Sequence, residues 1–203
     1  MTKIKICGLF RPEDIDTVNE ILPDYAGFII NYPKSRRSLN PVQVRELTCR
    51  LDRRIQAVGV FVNSPVGLPV RMLREGVIAL AQLHGTEDED YIRTLQEKTG
   101  CTVIKAFPVS GREDVEKALR SSADYILLDH RLGKNGEVLD WDLLTGIDRP
   151  WFLAGGLGPE NAAEAVRRLH PWAVDLNSAL ETDGRKDPRK MKAAAASLGV
   201  RPH

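Results

Sequence analysis

The sequence predicts a single-domain (β/α)8 barrel, the TIM-barrel fold class, and three observations carry that expectation. Short apolar runs of strand length alternate with amphipathic stretches of helix length eight times along the chain. Runs such as Tyr25-Ala26-Gly27-Phe28-Ile29-Ile30 are nearly continuous in apolar residues, as strands buried on both faces of a parallel sheet require. No linker, charge block or low-complexity segment divides the 203 residues. Eight units in that length leaves roughly 25 residues each, a compact version of a fold that typically takes about 250. An open doubly wound sheet is the alternative, because one misread strand changes the count.

The first strand runs from Lys3 to Cys7, and Gly8 after it lets the backbone turn sharply and leaves room beside the sulfur. Arg11-Pro12-Glu13-Asp14 starts a helix, with proline in its first turn, acids behind it and a stripe of Ile15, Val18 and Leu22. Strand two spans Tyr25 to Asn31 and gives way to a basic loop, Tyr32 to Ser38. Asn40-Pro41 caps helix two, striped by Val44, Leu47 and Leu51. Strand three is Ile55 to Val62, and Ser64-Pro65 opens helix three with Val66, Val70 and Leu73 on one face. Strand four is Val77 to Leu83, ending at His84-Gly85, and Thr86-x-x-Glu89 reads as the capping box of helix four.

Strand five is Thr102 to Phe107, and Val115, Ala118 and Leu119 mark helix five. Strand six, Tyr125 to Leu128, closes on Asp129-His130. A glycine-bearing loop, Arg131 to Glu137, leads to a short helix near Asp142 to Leu144. Strand seven, Trp151 to Ala154, closes on Gly155-Gly156, and Pro159 opens a helix with Ala162, Val166 and Leu169 inward. Strand eight is Ala173 to Leu176, and the last helix starts at Asp187-Pro188 with Met191, Ala195 and Leu198 inward.

Composition narrows the function classes. Charged residues make up 28% and apolar ones 42%, as in ordinary globular proteins, and the net charge of +1 gives no field that would attract nucleic acid or an anionic membrane. Three widely spaced cysteines, Cys7, Cys49 and Cys101, form neither a disulfide framework nor a zinc pattern, which suits a reduced cytoplasmic setting. Neither a secretion signal nor a run long enough to span a bilayer is read in the sequence.

In a closed parallel barrel all strand carboxyl ends share one rim, where active sites lie. The expected ends are Cys7, Asn31, His84, Asp129, Gly155-Gly156 and Asn177-Ser178. A thiol and a carboxylate facing each other there make a general base and acid. At about 8.5 and about 3.9 neither has a suitable free pKa, so the rim is expected to lower the first with positive charge and raise the second by desolvation. Gly155-Gly156 and the turn through Ser178-Ala179 present backbone N–H groups in the two loops where barrels commonly hold a phosphate. From the Lys34-Ser35-Arg36-Arg37 loop, one arginine reaching over the rim suits a carboxylate, since its planar fork binds both oxygens. His84 reads as a hydrogen-bonding partner, Trp141 and Trp151 as core or cap, and Cys49 and Cys101 as packing.

Taken together and in this order, the motifs resemble the phosphoribosylanthranilate isomerase family of tryptophan biosynthesis. The likeness runs through Lys5-Ile6-Cys7-Gly8-Leu9, Gly27-Phe28, Pro33-Lys34-Ser35-Arg36-Arg37, Val58-Gly59-Val60-Phe61-Val62-Asn63 and Gln82-Leu83-His84-Gly85. It continues through Leu128-Asp129, Asp140-Trp141, Leu153-Ala154-Gly155-Gly156-Leu157, Val174-Asp175 to Glu181, and Gly184-x-Lys186-Asp187. The resemblance implies an Amadori rearrangement of a phosphorylated aminoaldose to an aminoketose. It implies Cys7 as general base, Asp129 as general acid, Arg36 on the anthranilate carboxylate, and the phosphate on the backbone of Gly155, Gly156, Ser178 and Ala179. Neither metal nor organic cofactor is implied, because the substrate's own amine is the electron sink. The expected partner is a small phosphosugar, with the protein a monomer or homodimer.

The chain departs from the family pattern at Phe10, usually threonine, at Asn177, usually serine, and at Ala179, usually glycine. Its loop after Asp129 reads Arg131-Leu132-Gly133-Lys134-Asn135-Gly136 where the family usually has Gly-Gly-Thr-Gly, with Lys134 a candidate phosphate contact. These departures leave a non-catalytic or divergent phosphosugar-binding barrel as the alternative. A histidine-pathway isomerase, which resembles a two-aspartate design, fits less well because Cys7 stands at the end of strand one.

Overall fold

The computed structural model describes residues 2–129 and 141–200. Eight parallel strands follow one another around a ring: β1 (Lys3–Cys7), β2 (Tyr25–Ile30), β3 (Gln56–Phe61), β4 (Leu80–Leu83), β5 (Val103–Pro108), β6 (Tyr125–Asp129), β7 (Trp151–Ala154) and β8 (Ala173–Leu176). The ring closes because β1 pairs with both β2 and β8, in a register that sets Cys7 opposite Gly27 and Lys5 opposite Asp175. That closure excludes the open sheet. A two-residue strand, Ser38–Leu39, pairs in parallel with Ile29 and Ile30 at the end of β2, a pairing the basic loop's polar composition conceals.

Seven α-helices cover the outside among the described residues: α1 (Pro12–Ile21), α2 (Pro41–Thr48), α3 (Gly67–Arg74), α4 (Glu89–Thr99), α5 (Arg112–Leu119), α6 (Ala162–Leu169) and α7 (Pro188–Ser197). A single 3-10 turn, Trp141–Leu144, stands in the sixth position. The caps follow local chemistry. Asn40 accepts from the N–H groups of Val42 and Gln43, and Asp187 from that of Arg189.

Several expectations are corrected. The Thr86-x-x-Glu89 box does not cap α4: Asp88 does, accepting from the Tyr91 N–H, while Glu89 bonds Ser122 and Thr86 donates to Asn63. The helix-start residues at Ser64-Pro65 and Pro159 lie ahead of helices that begin at Gly67 and Ala162. Val66 and Val70 are only partly covered and the α3 core side is Pro69, Met72 and Leu73; Leu119 is exposed, as is Cys49, which caps the end of α2. The loop 131–137 with Lys134, together with His130 and Asp140, lies outside the described residues.

Strand alternation sorts side chains into two layers. In β1, Ile4 and Ile6 pack outward under the helices, while Lys5 shares the inner face with Cys7. Each fully buried Ile, Leu or Phe of this kind contributes roughly 1.5–3 kcal/mol. The inner layer is Val58, Leu80, Ile104, Leu127 and Phe152, floored by Tyr25 and Tyr125, whose rings lie 5.4 and 5.5 Å from that of Phe152. Aromatic rings therefore plug the amino end, and small residues such as Gly27 and Ala154 sit toward the other. Among the described residues a ligand finds room at the carboxyl end of the ring.

Candidate active site

A cavity of about 420 Å³ opens at the carboxyl end, lined by His84, Asp129, Gly155, Gly156, Asp175, Asn177, Ser178 and Ala179 among others. These residues come from β4, β6, β7 and β8 or from the turns directly after them. A larger cleft, about 640 Å³, lies at the opposite end against Thr2, Val166, Trp172 and Leu198. It touches no strand carboxyl end, so the smaller cavity is the one where barrel chemistry is expected.

Asp129 stands on the cavity wall with its Oδ2 3.4 Å from His84 Nε2. The other ring nitrogen, Nδ1, is 2.9 Å from the Gln82 amide Nε2. An amide N–H donating to Nδ1 puts the ring proton on Nε2, aimed at the carboxylate. His84 is thus a hydrogen-bonding partner, and what it touches is the proposed acid itself.

Cys7 is next to this cavity without lining it, at 4% exposure. Its room is made by Gly27 across the strand pair, where an added Cβ would stand 2.7 Å from the sulfur and 3.1 Å from Lys5 Nζ. Gly8 makes the expected sharp turn, but the room it leaves is for Arg37 and Asn177 and not for the sulfur. It turns the chain at φ +73°, its N–H and that of Leu9 both donate to the Gly27 carbonyl, and a Cβ there would meet Arg37 and Asn177 at 2.7 Å.

The expected positive charge stands near the sulfur, but the direction of its pKa shift differs from expectation. Lys5 is fully buried and paired with Asp175 at 2.9 Å. Burial pushes the Cys7 thiol above its ordinary pKa; Lys5 pulls it down, Asp175 pushes it further up and Lys186 pulls down, and burial prevails. Burial works to lower the Lys5 pKa, but attraction to Asp175 and Cys7 leaves it raised.

Arg36 does not line the cavity. Its Nη2 is bonded to Glu181, and the side chain is 59% exposed. Arg37 binds the same carboxylate through Nε at 2.5 Å and Nη2 at 2.8 Å. Lys186 completes the cluster, donating to Glu181 Oε1 at 3.1 Å and to the carbonyl and side-chain oxygens of Asn177 at 2.8 and 2.9 Å. Burial alone would raise the Glu181 pKa, yet Arg37, Lys186 and Arg36 hold it down at about 2. The loop after β2 and the turn after β8 are thereby locked together beside the Ser178–Leu180 turn.

Gly155 and Gly156 both take positive φ, +102° and +62°, which turns the chain across the cavity mouth. Of the residues expected from sequence, Asp129, Gly155, Gly156, Ser178 and Ala179 line one cavity, Cys7 lies just behind it, and Arg36 lies over the adjoining loop. Gln82, Lys5, Asp175, Glu181 and Lys186 carry no expected role. The signal for Lys5 and Asp175 is a charged residue inside an apolar strand run.

Comparison with known proteins completes the picture. Residues 4–196 match the family model described as N-(5'-phosphoribosyl)anthranilate (PRA) isomerase. An N-(5'-phosphoribosyl)anthranilate isomerase of Endomicrobium trichonymphae is 45% identical over 196 residues, 94% of this chain and 95% of that one. The crystal structure of phosphoribosyl anthranilate isomerase from Thermotoga maritima is similar at TM-score 0.89 and 34% identity, over 98% of this chain and 100% of that one. A crystal structure of such an isomerase in complex with reduced 1-(o-carboxyphenylamino)-1-deoxyribulose 5-phosphate is similar at TM-score 0.84 and 33% identity, over 98% and 100% of the two chains.

Proposed function

This chain belongs to the N-(5'-phosphoribosyl)anthranilate isomerase family, and on that premise we propose how its own residues divide the reaction. The reaction converts N-(5-phosphoribosyl)anthranilate to 1-(2-carboxyphenylamino)-1-deoxyribulose 5-phosphate, a step of tryptophan biosynthesis. Asp129 gives a proton to the furanose ring oxygen, and the C1–O bond breaks as the anilino nitrogen forms a Schiff base with C1. Cys7, as thiolate, takes the proton from C2. The C2–H electron pair moves toward the iminium nitrogen, giving an enolamine that tautomerises to the ketone.

The 5'-phosphate rests on the backbone of Gly155, Gly156, Ser178 and Ala179, where loop N–H groups meet an anion without a bound metal. Arg36 takes the anthranilate carboxylate with the part of its fork that Glu181 leaves free. The substrate is a small phosphosugar, and the enzyme works in the cytoplasm. Among the described residues no helix is long and apolar enough to cross a membrane.

The observation that carries this reading is the single cavity shared by Asp129 and both glycine-type turns, with the Cys7 thiol directly behind it. Cys7→Ser and Asp129→Asn are each expected to lower turnover by at least about 100-fold, with unfolding transitions like the wild type. Turnover is followed by the decay of substrate fluorescence. Wild-type rates in either variant would remove that residue from the mechanism.

A further inference from the structure

Only the thiolate of Cys7 can take a proton, and burial of the sulfur opposes its formation, so something in the site must favour the ionised form. The geometry points to Lys5 as the positioning residue that stabilises the Cys7 thiolate when it forms, with Asp175 dividing the ammonium charge between its own carboxylate and the sulfur. This inference rests on the reading of Cys7 as the base.

Lys5 and Cys7 are two residues apart on one strand, so their side chains leave the same face. The space over Gly27 brings their ends together, since one added Cβ there would meet both the sulfur and the Lys5 nitrogen. The ammonium has three N–H bonds. One goes to Asp175 Oδ1, directly opposite in the strand register, and the Cys7 sulfur lies beside the same nitrogen across the Gly27 space. A lysine at 0% exposure has little solvent to screen its charge, so that charge acts strongly on its two neighbours.

The remaining charges fix the balance. From the turn after β8, Lys186 adds a second positive field at Cys7, but its ammonium is already bonded to Glu181 and Asn177. Arg37, over Gly8, is likewise committed to Glu181. From β2 only Gly27 faces the sulfur, and it carries no charge. Lys5 is therefore the cation best able to respond when the thiol gives up its proton to solvent. In turnover the thiolate regains a proton from substrate C2, and Lys5 returns to Asp175.

The experiment measures the rate of Cys7 alkylation by iodoacetamide against pH, in a Cys49→Ser/Cys101→Ser background. Lys5→Met is expected to raise the midpoint by about one pH unit or more, and Asp175→Asn to lower it, because an adjacent charge moves a pKa by about 1–3 units. Lys5→Arg is expected to restore most of the shift, and the acidic limb of kcat/KM to move with the alkylation midpoint. A folded Lys5→Met variant whose midpoint coincides with the parent's overturns the inference. If Lys5→Met fails to fold, Asp175→Asn decides: an unmoved or raised midpoint overturns it equally. Midpoints that move as expected while Cys7→Ser keeps its turnover would sustain the Lys5–Cys7 coupling and remove only the base assignment.

Discussion

Gly27 stands opposite Cys7 in the β1–β2 pairing, and the side chain it lacks is the space the sulfur fills: a Cβ would sit 2.7 Å from Sγ and 3.1 Å from the Cys7 Cα. Rotating the thiol away relieves only the first of these contacts. Gly27→Ala should therefore push the strands apart, lowering stability by about 1–3 kcal/mol as overpacking does. It should reduce kcat more than it raises KM, since it displaces the base without touching the anion sites. Urea unfolding and steady-state kinetics check both parts, and an unchanged kcat would show that the sulfur tolerates displacement.

The Gln82–His84–Asp129 line makes a second expectation. Gln82 Oε1 is buried without a hydrogen-bond partner among the described residues, while Nε2 is spent on the His84 ring. Gln82→Leu removes the donor that fixes the ring's tautomer, so the proton facing Asp129 is no longer assured. A misplacement of that kind costs about 10- to 100-fold in kcat, with KM little changed. Equal kcat in the two proteins would leave His84 a packing residue.

Arg36 must hold Glu181 and, in the proposal, a substrate carboxylate at once. The guanidinium fork can serve two oxygens in two directions, whereas an ammonium is a point charge. Arg36→Lys should raise KM about tenfold with kcat within about twofold, the pattern of lost uniform binding. A substrate analogue lacking the carboxylate should bind both proteins alike.

Glu181 couples stability to pH. Its carboxyl pKa is held at about 2 in the folded protein, below the ordinary 4.5. A depressed folded value means the stabilisation is complete above about pH 4.5 and is lost as pH falls toward about 2. Its side chain is 4% exposed, so the effect is on the order of 2 kcal/mol. Glu181→Gln should be less stable than wild type at pH 7 in urea, with the difference shrinking between pH 4.5 and pH 2.5. A difference that stays constant across that window would mean the carboxylate's charge contributes nothing.

The order of elements was legible because it is written locally. Apolar runs of strand length, Asn40 and Asp187 as caps, and Pro12, Pro41 and Pro188 in first turns each act within a few residues of themselves. Where two local signals competed, local reading failed. Thr86 and Asp88 are both good caps, and the choice fell to Asp88 because the Thr86 N–H was claimed by Asn63 from another loop. Leu119, one of the apolar residues that mark α5, is exposed in the helix's last turn.

By itself the sequence determined which residues reach the barrel mouth. Strand length and strand order alone bring Asp129, Gly155, Gly156, Ser178 and Ala179 to one rim, and the shared motifs named the chemistry. Only the tertiary structure decided how those residues are charged and held. A pKa depends on distances between groups more than a hundred positions apart, such as Lys5 and Asp175 at 2.9 Å, and on how much water remains between them. Neither quantity has any trace in the spacing along the chain, which is why the thiol expected to be acidified lies buried beside a lysine already bound to a carboxylate.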